Sequence, residues 1–176
     1  MSGAFRRHGD RIRAELEPFE VQLLRQLRDS VRASVEGQDP DDPAIARLFP
    51  ATVSGDDEAD DELRRLIRDD LVQSKLDGLD AIVDLLEDAT PHRGRLRLEL
   101  EPDDAMLVLG VLNDLRLALG ARIRIEDIDR DELGEDDPRA RTVAVMDHLG
   151  WLQEQLLEVV DPESVRHYDD GHGERT

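Results

Sequence analysis

The sequence predicts a mainly α fold (α+β), a four- to five-helix domain with a small antiparallel sheet. Three observations carry this. Long segments place apolar residues three and four apart, the spacing of one helix face. Two short segments alternate charged and apolar residues, the spacing of a half-buried strand. A length of 176 residues with 39% apolar content is enough for one domain with a real core.

The stretch from Arg95 to Gly120, RLRLELEPDDAMLVLGVLNDLRLALG, joins both patterns. Leu96, Leu98 and Leu100 alternate with charged residues, as in a strand. Pro102 suits a first helical turn, and Asp103 and Asp104 place negative charge at the positive end of the helix dipole. From Ala105 to Leu119 only Gly110, Asn113, Asp114 and Arg116 interrupt an apolar run, so the helix is expected to be buried.

The other elements follow in order. Phe5 to Leu16 reads as a hairpin turning at Gly9, with Ile12, Ala14 and Leu16 on one side. Glu17-Pro18 opens a helix to about Glu36, striped by Phe19, Leu23, Leu24, Leu27, Val31 and Val35 and ended by Gly37. Within the connector 37–62, Ile45, Leu48 and Phe49 suggest one docked helical turn. Residues 60–89 read as one long helix or two collinear ones. Leu63, Leu66, Ile67, Leu71 and Val72 mark its apolar face, continued by Leu79, Ile82, Val83, Leu85 and Leu86, with Gly78 as a candidate kink. Residues 93–100 form the strand described above, and 121–128 alternate again through Ile123 and Ile125, read as a further strand or a last turn of the central helix, with the strand favoured. The last helix runs from about Pro138 to Val160. The domain is expected over residues 1–162, with acidic connectors at 37–62 and 126–138 and a disordered tail at 163–176.

Residues 11–18, RIRAELEP, and 95–102, RLRLELEP, agree at six of eight positions. Each precedes an expected helix. Either Glu-Pro is simply a good helix opener used twice, or two strand-to-helix units pair their strands in one sheet.

The net charge is −20, which argues against a generic binder of nucleic acid or anionic membrane. The acidity is concentrated, however. Residues 37–62 carry nine acids and one Arg, and residues 126–138 carry eight acids and one Arg, while residues 1–36 carry seven Arg and six acids. Cysteine is absent, which excludes disulfides, thiolate metal sites and thiol redox sensing. One lysine stands beside 22 arginines, the codon bias of a high-GC genome. No apolar run resembles a signal peptide or reaches membrane-spanning length, so a cytoplasmic location and no membrane partner are expected.

Few motifs carry chemistry. Asp127, Asp129 and Asp131 open with calcium-loop spacing, but Glu132 stands where glycine is needed and Pro138 where an acid is needed. A solvated acidic loop is the better reading. His8, His92, His148, His167 and His172 lack helical zinc-site spacing. No nucleophile elbow or phosphate-binding glycine loop is present. We therefore expect no catalytic, cofactor or metal site and no enzyme.

Two groups remain as candidate partner or nucleic-acid contacts. Arg11, Arg13, Arg95 and Arg97, with Arg122 and Arg124 if a strand forms there, would converge on one sheet face. An Arg-lined two-stranded ribbon can enter a DNA major groove. The favoured alternative is cross-strand pairing with Glu15, Glu17, Glu99 and Glu101. Asn113, Asp114 and Arg116 interrupt the central helix. Asp114 and Arg116 are two apart and face different ways, so each needs its own partner. That partner belongs to a structural network by default, and otherwise to a partner or ligand groove.

NDLRLALG at 113–120, FRRHGDRIRAELEPFEVQLLRQL near the start and HLGWLQEQLLEVV near the end give the chain a resemblance. It resembles an actinobacterial family of unknown function whose members include an oxidative-stress transcription regulator (the AosR type). The likeness covers most of residues 5–160 apart from the acidic connectors. It implies a cytoplasmic regulator or accessory protein, from a family often encoded near a Clp protease adaptor and cysteine-biosynthesis genes, and it carries over no active site. Where that family's redox control is attributed to a cysteine pair, this chain departs, having none.

The expectation is thus a non-enzymatic regulatory protein acting mainly through protein contacts. Apolar helix faces in excess of one small core suggest a homodimer. Direct DNA binding through the Arg ribbon is the alternative.

Overall fold

The computed structural model describes residues 3–50, 58–134 and 136–161. The expected tail at 163–176 and residues 51–57 of the first acidic connector lie outside them. The elements in order are β1 (Phe5–His8), β2 (Arg11–Leu16), α1 (Pro18–Gly37), α2 (Pro43–Leu48), α3 (Glu58–Glu87), β3 (Thr90–His92), β4 (Arg95–Leu100), α4 (Pro102–Ile123), a 3-10 turn (Ile125–Asp127) and α5 (Pro138–Val160).

Four of the five α-helices begin at a proline, whose fixed φ suits the first turn and whose missing N–H is no loss there. The two helices that follow the repeated octapeptide open in the same way. Glu17 and Glu20 form a capping box on α1, and Glu101 and Asp104 form one on α4. Asp42 caps α2 by accepting the Ala44 amide, and Asp137 caps α5 by accepting that of Arg139.

The repeated strands are the middle of the sheet. The order is β1-β2-β4-β3, all antiparallel neighbours. β2 and β4 pair from Ile12↔Leu100 to Leu16↔Leu96, with Ala14 opposite Leu98 at the centre. Ile12, Ala14, Leu16, Leu98 and Leu100 are buried. Their alternates form the polar face. β3 is a strand the sequence reading missed. It folds back on β4 through Arg93 and Gly94, whose φ values of 51° and 82° give a two-residue turn that matches strand twist.

α4 packs against α1, α2, α3, α5 and both central strands. Leu112 and Leu115 are fully buried in it, as are Leu149, Leu152 and Leu156 on the facing side of α5. α4 is not covered all round: Met106, Gly110 and Asn113 face solvent. The C-terminal half of α3 buries Leu79, Ile82 and Leu86.

Two expectations are corrected. Residues 121–128 are not a strand. α4 runs on to Ile123, Arg124 turns left-handed at φ 50°, and a 3-10 turn follows. A period-2 pattern makes a strand only where it pairs in a sheet, and this segment pairs with none of the four strands. Extending an existing helix instead gains a hydrogen bond for each residue fixed. Arg122 therefore lies away from the sheet, donating to Ser30 Oγ (2.9 Å) and Ser34 Oγ (2.6 Å). The second correction concerns the N-terminal half of α3. Leu63, Leu66, Ile67 and Leu71 extend no core face; they are 40–56% exposed.

Candidate functional site

The polar face of the central strands is a ladder of ion pairs. Arg11 meets Glu101 at 2.7 Å, Arg13 meets Glu99 at 2.5 Å, Arg97 meets Glu15 at 2.8 Å and Arg95 meets Glu17 at 2.7 Å. The pairing is symmetric about Ala14 and Leu98, as two copies of one octapeptide placed antiparallel require. β1 adds to both inner rungs, with Arg6 at 2.7 Å from Glu15 and His8 at 3.4 Å from Glu99. The hydrogen bond from Arg97, against some burial and with the charge of Arg6, holds the Glu15 carboxyl below its ordinary pKa. Burial pulls Glu99 upward, but the hydrogen bond and charge of Arg13, with His8, outweigh it and leave Glu99 lowered. All four candidate ribbon arginines thus converge as expected, and each already holds a carboxylate.

The polar trio of α4 divides among three directions. Asp114 Oδ1 accepts from Lys75 Nζ on α3 at 2.7 Å, with both side chains only 16% exposed. Arg116 Nη1 donates to Gln153 Oε1 on α5 at 2.7 Å, and Gln153 in turn donates to the Leu109 carbonyl. The Arg116 guanidinium rests on Gly150, where an added Cβ would stand 3.2 Å from it. Its Nε is buried without a hydrogen-bond partner. Asn113 is exposed. Asn113 and Arg116 line a cleft of about 800 Å³ between α2, α4 and α5, together with Arg47 and Arg124. Asp114 lines a different groove of about 770 Å³ between α3 and α4. A structural network accounts for Asp114 and Arg116.

Two surfaces were missed in the sequence. Phe19, read as part of a core stripe, is 60% exposed. It lies 5.8 Å from the His148 ring, which stacks on Trp151 at 5.6 Å. His148 Nε2 is 2.7 Å from Oε1 of the buried Glu20, whose other oxygen accepts the Glu17 amide in the α1 capping box. The aromatic patch is therefore tied to a fixed helix start. The only advance signal was His148 beside Trp151 in α5. The second surface is the exposed apolar stripe of α3. Its four leucine and isoleucine side chains are half of the large apolar side chains that stand exposed among the described residues.

Among the described residues, no three His, Asp or Glu side chains are grouped to hold a metal ion. Asp127 of the acidic loop lies 3.6 Å from Arg124 instead. No helix among them is long and apolar enough to cross a membrane.

A family profile described as a domain of unknown function, DUF2017, matches residues 2–160. Curated relatives in Mycobacterium bovis and Mycobacterium tuberculosis, each named oxidative stress regulator AosR, are 31% identical over 88% of this chain and 84% of their own length. A Mycobacterium leprae relative is 27% identical over 85% of this chain and 82% of its own. No solved structure matches the chain.

Proposed function

The chain belongs to the DUF2017 family, and from that premise we propose that it is a non-enzymatic, cytoplasmic regulatory protein acting mainly through protein–protein contacts. The observation that carries this is the aromatic patch of Phe19, His148 and Trp151. An exposed Trp and Phe held rigidly on two helices are the side-chain types that dominate binding energy at protein interfaces. Regulator names on relatives that align over most of the chain support the same reading. The chain contains no cysteine, so regulation here works without a thiol switch of its own.

The test is affinity capture from native lysate with mass spectrometry, run with and without nuclease, using wild type and Trp151→Ala. The expected result is a protein partner that survives nuclease and is lost with Trp151→Ala, because truncating a hot-spot aromatic costs about 2 kcal/mol or more. Recovery that disappears with nuclease and is indifferent to Trp151 would replace this reading with direct DNA binding.

A further inference from the structure

We propose that the cleft between α2, α4 and α5 binds a small organic phosphate, with the charged group among Arg47, Arg116 and Arg124 and the apolar body against the helix walls. This stands independently of the regulatory reading above.

The first ground is local charge. The chain holds 43 acids and 23 Lys or Arg. In the lining of this cleft the balance reverses: Arg47, Arg116 and Arg124 stand against Glu126 alone, a net of +2. The groove between α3 and α4 follows the rest of the chain, with Asp70, Asp77 and Asp114 against Lys75, a net of −2. A concave surface of one sign focuses its field and concentrates counter-ions. The net of +2 matches a phosphate monoester, which carries about −1.5 to −2 at pH 7.

The second ground is the state of the three arginines. Every other half-buried arginine among the described residues, from Arg13 to Arg122, meets a carboxylate. Arg116 is the exception. Its Nη1 bonds to the neutral Gln153, which positions the guanidinium over Gly150 without neutralising it. Its Nε is buried with no partner. A partly buried cation without an anion is destabilising, and an acidic chain had many carboxylates to offer it. Arg47 is exposed at the end of α2 and has no hydrogen-bond or ionic partner among the described residues. Arg124 lies 3.6 Å from Asp127, between side chains 79% and 61% exposed, a pair that water screens. Arg124 also holds φ 50°, a backbone state that glycine adopts with less strain.

The third ground is shape. On α4, Asn113, Leu117, Gly120, Ala121 and Arg124 share one side of the helix, and Arg116 stands at the edge of that side nearest α5. Arg47 faces them from α2. Guanidinium groups present planar pairs of N–H donors that fit phosphate oxygens. Leu117, Ala121, Ile125 and Met146 add an apolar wall, which inorganic phosphate would leave unused.

The test is a titration of the full-length 15N-labelled chain with phenyl phosphate at constant ionic strength. It is followed by NMR at the Asn113 side-chain amide and the Gly120 N–H. Saturable shifts with a Kd below about 1 mM are expected. Inorganic phosphate lacks the apolar body and benzoate lacks the second charge, so each binds at least about tenfold more weakly. Arg116→Gln weakens phenyl phosphate at least about tenfold. Arg124→Gly weakens it too without lowering the urea midpoint, since glycine relieves the left-handed backbone; this variant decides the matter if Arg116→Gln does not fold. Arg65→Gln, an exposed arginine of α3, binds as wild type does. Absence of shifts at about 10 mM phenyl phosphate overturns the proposal. So do shifts that persist unchanged in the folded Arg116 and Arg124 variants, or benzoate binding as tightly as phenyl phosphate.

Discussion

At the scale of residues, the ladder shows how much a short alternation determines. Arg and Glu at fixed offsets in RIRAELEP and RLRLELEP are enough to pair Arg11 with Glu101 and Arg95 with Glu17 once the strands lie antiparallel. This was legible in advance because pairing depends only on register, and a buried face fixes register. The partners of Asp114 and Arg116 were not legible, since Lys75 and Gln153 come from helices whose docking no local pattern encodes. The lowered pKa values of Glu15 and Glu99 carry a consequence for acid stability. The unfolded chain binds more protons at these groups than the native one, so their stabilisation is present above the ordinary carboxylate range of about 4 and is lost as pH falls through their lower native values. Urea unfolding at a series of pH values should show stability falling with acid. The double variant Glu15→Gln/Glu99→Gln should flatten that slope.

At the scale of elements, helix and strand types followed from period, while exposure did not. The two halves of α3 carry similar apolar residues, yet Leu79, Ile82 and Leu86 are buried and Leu63, Leu66 and Ile67 are not. Periodicity reports which residues share a face; it does not report whether another element reaches that face. Thr90 to His92 lacked an apolar alternation because an edge strand of three residues is held by backbone bonds and its turn. The expected strand at 121–128 had the alternation, but α4 runs on through it to Ile123 and a 3-10 turn follows. Gly110 offers a test of α4. It interrupts a helix, faces solvent, and a Cβ added there would meet nothing within 4 Å. Gly110→Ala should therefore stabilise the fold by about 1 kcal/mol through helix propensity alone, read as a higher urea midpoint. Loss of stability would show that the groove beside it is more crowded than the structure has it.

At the scale of the molecule, the sheet and helices form one interdependent core. The central pair joins the start of the chain to its middle, with Arg13 bonded to Glu99 across 86 residues. Phe5, Ala14 and Leu16 share a small apolar cavity lining with Ile82, Leu100, Leu112 and Leu152, which come from α3, β4, α4 and α5. No neighbouring pair of elements supplies the whole of that lining. A fragment ending at residue 50 should accordingly show no cooperative thermal transition by circular dichroism, although it contains a complete hairpin and helix. An isolated two-stranded hairpin is marginal in water, and α1 has little to pack against without the later helices.

The distance between β2 and β4 along the chain also sets an order of events during synthesis. The first hairpin leaves the ribosome 86 residues before the strand that covers its inner edge, an interval of roughly 4 to 17 seconds. Throughout it, the backbone edge of β2 and the side chains of Ile12, Ala14 and Leu16 are open to any passing strand. The arginines and glutamates alternating along that edge then act before the fold exists. They keep a nascent hairpin charged and soluble until the second copy of the octapeptide arrives to neutralise them rung by rung.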